Sequence, residues 1–145
     1  LGQVAGATTI ANTFPACLGL PGNWHGLAHG AGKKDGAKNL GRFDQLLVEQ
    51  LTRFMTRLKD TPEADGTMLD NTLIFYGSSN SKTHNNNNYP LVLAGGRNLG
   101  FKHNQFLRLD AKTPLSNVFV TILESMNIAH DGFADSAGEL SALIT

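Results

Sequence analysis

Two short apolar runs, NTLIFYG at 71–77 and YPLVLA at 89–94, set the tightest limit on what this chain can become. Each has strand length, is bounded by turn residues and carries apolar side chains at successive positions, the pattern of a strand covered on both faces. Such strands need other layers packed against their sheet, so the chain reads as mixed α and β. Between them lies SSNSKTHNNNN, a polar loop that leaves the end of one strand and returns to the start of the next.

The other elements follow from periodicity. Phe43, Leu46, Leu47, Leu51, Phe54, Met55 and Leu58 fall at helical spacing and predict a helix over 43–58. Glu49 and Arg53 sit four apart on its polar side, placed for an ion pair. Asp60-Thr61-Pro62 stops it, because the residue before proline is pushed out of the α region. A weaker third strand is expected at 105–109. Thr113 as N-cap and Pro114 as first helical residue then open a second helix carrying Leu115, Val118, Phe119, Ile122, Leu123 and Met126.

Residues 1–39 are rich in Gly, Ala, Asn and Pro and read as loop, with a short strand expected within 8–14. Residues 40–145 hold the remaining elements, and the apolar stretch 140–144 is expected to pack back on them. The order of helix, strand, strand, strand and helix suggests part of an α/β sandwich with a largely parallel sheet and flanking helices. In such sheets binding groups gather on loops beyond the strand carboxyl ends, the position held by 78–88.

Composition removes several function classes. Twelve Lys and Arg balance twelve Asp and Glu, which leaves no cationic excess for nucleic acid or an anionic membrane. The single cysteine, Cys17, has no partner for an internal disulfide or a thiolate metal site. No run approaches the roughly 18 apolar residues of a spanning helix. The first residues lack both an initiator Met and the basic-then-apolar order of a signal peptide, so 1–145 reads as one domain whose true start lies upstream.

Chemistry concentrates in the histidines: 25, 29, 84, 103 and 130. His25 and His29 are four apart, a spacing that aligns two imidazoles on a helix, although Gly26 and Gly30 work against one. His84 adds a third nitrogen, giving the three-histidine set that catalytic zinc accepts with one position open. The competing reading has the same residues hydrogen-bonded or exposed on loops. His130 follows a helix, where an imidazole favours the negative end.

Other motifs are weaker. GSSNS at 77–81 is not the Gly-x-Ser-x-Gly elbow of a serine hydrolase. Gly95-Gly96-Arg97 lacks the Lys-Ser or Lys-Thr pair of a phosphate loop, and Asn85 to Asn88 reads as a solvated turn. Trp24 reads as a loop aromatic anchoring the core or lining a pocket.

Taken in order, NWHGLAHG, the long helix, TPEADGTMLDNTLIFYGSSNSKTHNNNNYPLVLAGG, RLDAKTPLSNVFVTILESMNI and FADSAGEL resemble the carboxyl-terminal part of the bacterial domain of unknown function fifteen-fifty-two, related to the sulfatase-like and alkaline-phosphatase-like hydrolases. The resemblance covers about 22–140. It implies an alkaline-phosphatase-like sandwich, a periplasmic or extracellular location, and phosphate or sulfate esters as substrates or ligands. In that wider pattern an acid and a histidine four residues on share one metal, and His25 and His29 fall on those positions. His84, six residues before Pro90, matches a further family histidine. An adjacent Asp-His pair is expected after the first strand, but Ser79-Asn80 stands there, which leaves one metal, zinc by preference, and Asn80 as a neutral donor to substrate. As an enzyme the protein is then a metal-dependent phosphatase- or sulfatase-like hydrolase; the alternative is a non-catalytic surface or binding protein that keeps the fold.

Overall fold

The computed structural model describes residues 16–20, 23–81 and 84–145. The strand expected within 8–14 lies outside them. The chain divides into two compact units, Leu1–Phe54 and Met55–Thr145, with the division falling inside a helix.

The first unit holds α1 (Trp24–His29) and most of α2 (Gly36–Lys59). Its core is Leu20, Leu27 and the fully buried Phe43, with Leu18, Trp24, Leu40 and Leu47 packed around them. Trp24 is thus a core anchor. The Arg42 guanidinium ties the incoming chain to α2 by donating from Nη2 to the Leu18 carbonyl at 3.1 Å. α2 starts earlier than the spacing predicts, because Leu40 extends the apolar stripe back by a turn and a tight bend delivers the chain to it. In that bend Asp35 has φ 59° and the Gly36 amide donates to the Lys33 carbonyl at 2.9 Å. A Cβ at Gly36 would overlap the Gly30 carbonyl oxygen, so only glycine fits.

Along α2 the expected stripe is buried or half-buried except at Phe54, which is 39% exposed. Glu49 accepts from Gln45 Nε2 at 2.9 Å instead of pairing with Arg53. The helix ends at Lys59 as predicted. Thr61 Oγ1 then donates to the Arg57 carbonyl at 2.7 Å, and Pro62 carries the chain away.

The second unit contains two antiparallel strand pairs. β1 (Pro62–Glu63) and β2 (Gly66–Thr67) form a small hairpin around Asp65-Gly66. Asp70 closes it, its Oδ2 accepting from Thr67 N at 2.9 Å and Thr67 Oγ1 at 2.8 Å. β3 (Leu73–Gly77) and β4 (Leu91–Gly95) are the two apolar runs of the sequence, paired with Phe75 opposite Leu93. The fold is therefore mixed helix and strand, but the pairing described differs from the largely parallel sheet expected. Parallel neighbours need a crossover, usually a helix, and the described residues of the polar link 78–90 form none; the chain returns beside the strand it left.

Full coverage of both strand faces is not found either. Ile74 is buried, whereas Phe75 is 39% and Val92 48% exposed. Beyond β4, Gly95 and Gly96 take left-handed angles and turn the chain into a 3-10 turn at Arg97–Leu99. A side chain at 95 would overlap the Thr72 carbonyl. The expected strand at 105–109 forms no ladder, and Phe106 is 92% exposed. The carboxyl-terminal tail pairs upstream of it, through a bridge of Phe101 with Ile144 and a bond from Lys102 N to the Leu143 carbonyl at 2.8 Å.

α3 (Ser116–Ser125) opens from Leu115, with no side-chain cap, rather than from Thr113. Phe119 on α3 stacks between Phe75 of β3 and Phe133 of the tail, with ring centres 5.5 and 5.3 Å away. The tail does pack back as expected, through polar as well as apolar groups. Ser116, Asn117 and Thr121 are buried, and Asn117 Oδ1 accepts from Ala137 N at 2.9 Å while Thr121 Oγ1 accepts from Leu140 N at 2.8 Å.

Candidate metal centre

The glycines around the first histidine pair do not prevent a helix, because each sits where it is tolerated. Asn23 caps α1, its Oδ1 accepting from Gly26 N at 2.7 Å, so Gly26 lies in the first turn. Gly30 lies just past the last turn, its amide returning to the Gly26 carbonyl at 2.9 Å. Leu27 is buried in the core of the first unit. Since each residue advances about 100° around a helix, anchoring Leu27 inward turns positions 25 and 29 outward on the other side. Both imidazoles are exposed, with ring centres 4.5 Å apart and planes inclined at 59°. Two imidazoles bound to one tetrahedral zinc, with Zn–N near 2.0–2.1 Å, hold their centres roughly 5 Å apart, so this pair has the spacing of two ligands.

His84 belongs to the second unit, in the loop that joins β3 to β4. It is exposed and held at φ 57°, a left-handed angle uncommon for a side chain with a Cβ. The loop is braced by bonds to the Asn85 carbonyl from Ser81 N at 2.8 Å and Ser81 Oγ at 3.4 Å, and by Asn87 N donating to Asn85 Oδ1 at 2.9 Å. Each of the three histidines carries a ring nitrogen of the kind that can ligate a divalent ion.

The end of β3 carries no acid. Ser78 Oγ donates to the Asn80 carbonyl at 2.8 Å and accepts from Asn80 N at 3.2 Å, a local turn that fixes the backbone. Asn80 Nδ2 donates to Ser79 Oγ at 3.3 Å and remains exposed. Neutral hydroxyl and amide oxygens bind divalent ions weakly, so this pair is a poor substitute for charged ligands.

Of the remaining histidines, His103 is exposed on an irregular segment. His130 follows α3 and meets Glu124, with Nε2 3.5 Å from Oε1. Burial pushes the Asp44 carboxyl up, the Thr67 bonds pull Asp70 down, and a bond with Glu124 pushes Glu139 up. The contact of Glu124 with Glu139 was beyond sequence reasoning, since no spacing rule joins a helix to a later irregular tail. Comparison with known proteins finds no matching family model, curated protein or solved structure.

Proposed function

We propose that this chain holds one divalent ion, zinc by donor type, on His25, His29 and His84, within an alkaline-phosphatase-like sandwich that acts on or binds phosphate or sulfate esters outside the cytoplasm. The observation that carries the reading is the outward-facing imidazole pair on α1, with ring centres 4.5 Å apart. Neutral imidazole is the commonest metal ligand, and the donors are all nitrogen, which suits zinc better than magnesium or calcium. Held by His25, His29 and His84, such an ion would supply Lewis-acid chemistry toward an ester oxygen or a water. The chain's own contribution is positional: Leu27 and Asn23 set the orientation of the pair, His84 closes the set, and Asn80 offers a neutral amide to the substrate. The parallel part of such a sandwich comes from strands other than β3 and β4.

A second reading, a non-catalytic binding protein on the same fold, is favoured by one feature. The Ser79-Asn80 end of β3 is neutral and bonded to itself, where a two-metal site needs acids.

Elemental analysis after zinc loading and desalting separates the outcomes. About one zinc per chain, lost in both His29→Ala and His84→Ala, supports the three-ligand set. Zinc lost only in His29→Ala removes His84 from it, and no zinc in the unaltered chain refutes the site. With zinc in place, turnover of aryl phosphates or sulfates distinguishes a hydrolase from a binding protein.

A further inference from the structure

Asp-Gly pairs occur at 35–36, 65–66 and 131–132. Such a pair is open to attack by the glycine amide nitrogen on the aspartate side-chain carbonyl carbon, since the missing Cβ uncrowds that nitrogen and frees the backbone to turn. What holds the peptide link decides whether this happens. The Gly36 amide donates to the Lys33 carbonyl at 2.9 Å, inside the crowded bend before α2. Gly66 is paired with Glu63 in the β1–β2 hairpin, and the Asp65 carbonyl accepts from Asn98 Nδ2 at 2.9 Å. Main-chain and amide groups pin both links, and none of them is a base. Gly132 differs. Asp131 and Gly132 are exposed outside any helix or strand, Gly132 has φ 114°, and its amide donates to His130 Nδ1 at 3.1 Å. An imidazole nitrogen that accepts is unprotonated, which assigns the ring proton to Nε2. Nε2 lies 3.5 Å from Glu124 Oε1 at the end of α3, so a carboxylate stands behind the base and steadies the charge the ring gains on taking a second proton.

We propose that His130, Asp131 and Gly132 form a self-modifying site at which Asp131 isomerises to isoaspartate, with His130 as the base. His130 Nδ1 takes the Gly132 amide proton while the nitrogen forms a bond to Cγ of Asp131 in its carboxylic acid form. The tetrahedral carbon then expels its hydroxyl, which leaves as water with the proton returned from Nδ1, and a five-membered succinimide remains. One solvent water opens that ring at either carbonyl. Opening at one restores aspartate, and opening at the other gives isoaspartate, so the net change is a rearrangement with no oxidation or reduction. The product has one more methylene in the main chain and a free α-carboxylate beside it. It lies just ahead of the bonds from Ala137 N and Leu140 N that tie the tail to Asn117 and Thr121. None of these groups belongs to the proposed metal set.

Ageing the full chain at neutral pH for several weeks, then quantifying isoaspartate at each of the three pairs by mass-spectrometric peptide mapping, tests this. Asp131 is expected to convert about tenfold faster than Asp35 or Asp65, a modest part of what a positioned base supplies. His130→Asn sets an amide oxygen near the place of Nδ1, which keeps an acceptor for the Gly132 amide and removes the base. Its conversion at 131 is expected to fall by about the same factor, read against 35 and 65 in the same digest so that any general loosening of the chain cancels. Conversion at 131 no faster than at the other two pairs overturns the site. Equal or faster conversion in His130→Asn overturns it as well, because the shape of the loop and not the imidazole is then the cause.

Discussion

Thr121→Val isolates one hydroxyl at constant shape. Thr121 is 0% exposed, and its Oγ1 both donates to the Asn117 carbonyl and accepts from Leu140 N, each at 2.8 Å. Valine fills the same volume with a methyl, so no cavity opens. What changes is that the Leu140 amide loses its acceptor beside a fully buried side chain, a penalty of about 1–3 kcal/mol. The Asn117 carbonyl has two lone pairs and loses less. The added apolar methyl recovers a fraction of a kcal/mol, which leaves an expected loss of about 2 kcal/mol. Thr121→Ser keeps the hydroxyl and deletes a methyl, for about 1 kcal/mol. Urea unfolding of both variants measures the contrast, with the midpoint falling further for valine and the slope unchanged. A valine variant within about 0.5 kcal/mol of the unaltered chain, or more stable than the serine variant, refutes the reasoning, since the Leu140 amide then does not depend on this hydroxyl.

Two further predictions concern the local devices that hold each unit. Asn23→Ala removes the α1 cap, typically worth about 1 kcal/mol, and in so short a helix is expected to weaken zinc binding severalfold, with Asn23→Ser restoring it; titration calorimetry on the three chains decides, and equal affinities sink the idea that the cap orients the histidines. The Asp70 carboxyl is held below its ordinary value of 3.8 mainly by the Thr67 hydroxyl and then the Thr67 amide. Its contribution is present above that value and is lost as pH falls through the lower folded one, so Asp70→Asn is expected to flatten the acid limb of thermal stability, and identical acid limbs count against it.

Much of this was legible from residue patterns alone. The α2 stripe and the two apolar strands were readable because their periodicity is local, and the stop at Asp60-Thr61-Pro62 because proline acts on its own neighbour. The direction of strand pairing was not readable, since the same apolar run suits either, and the 78–90 link decides it. Gln105 to Leu109 has strand-forming residues but no adjacent edge, because the Gly95-Gly96 turn leads the chain away and the tail pairs at Phe101 instead. Thr113-Pro114 has the chemistry of a helix start, yet α3 opens later, where Ser116 and Asn117 have partners in the tail. The histidine pair was visible as a spacing. Whether Gly26 and Gly30 would break the helix depended on where its ends fell, which the Asn23 cap determines.

The crowding at Gly36 and Gly95 also bears on how this architecture can drift. At both positions a single methyl group would collide with main-chain oxygen of a neighbouring segment, so no exchange of surrounding side chains makes room. His25 and His29, by contrast, are exposed on a helix whose hold on the core comes from Leu27 and Trp24. A chain descended from this one can exchange its imidazoles and keep its outline, whereas one that loses either glycine must rebuild the bend or the strand end around it. Architecture and proposed chemistry are thus written in separate residues here, and the glycines will mark shared descent in sequences from which these histidines have gone.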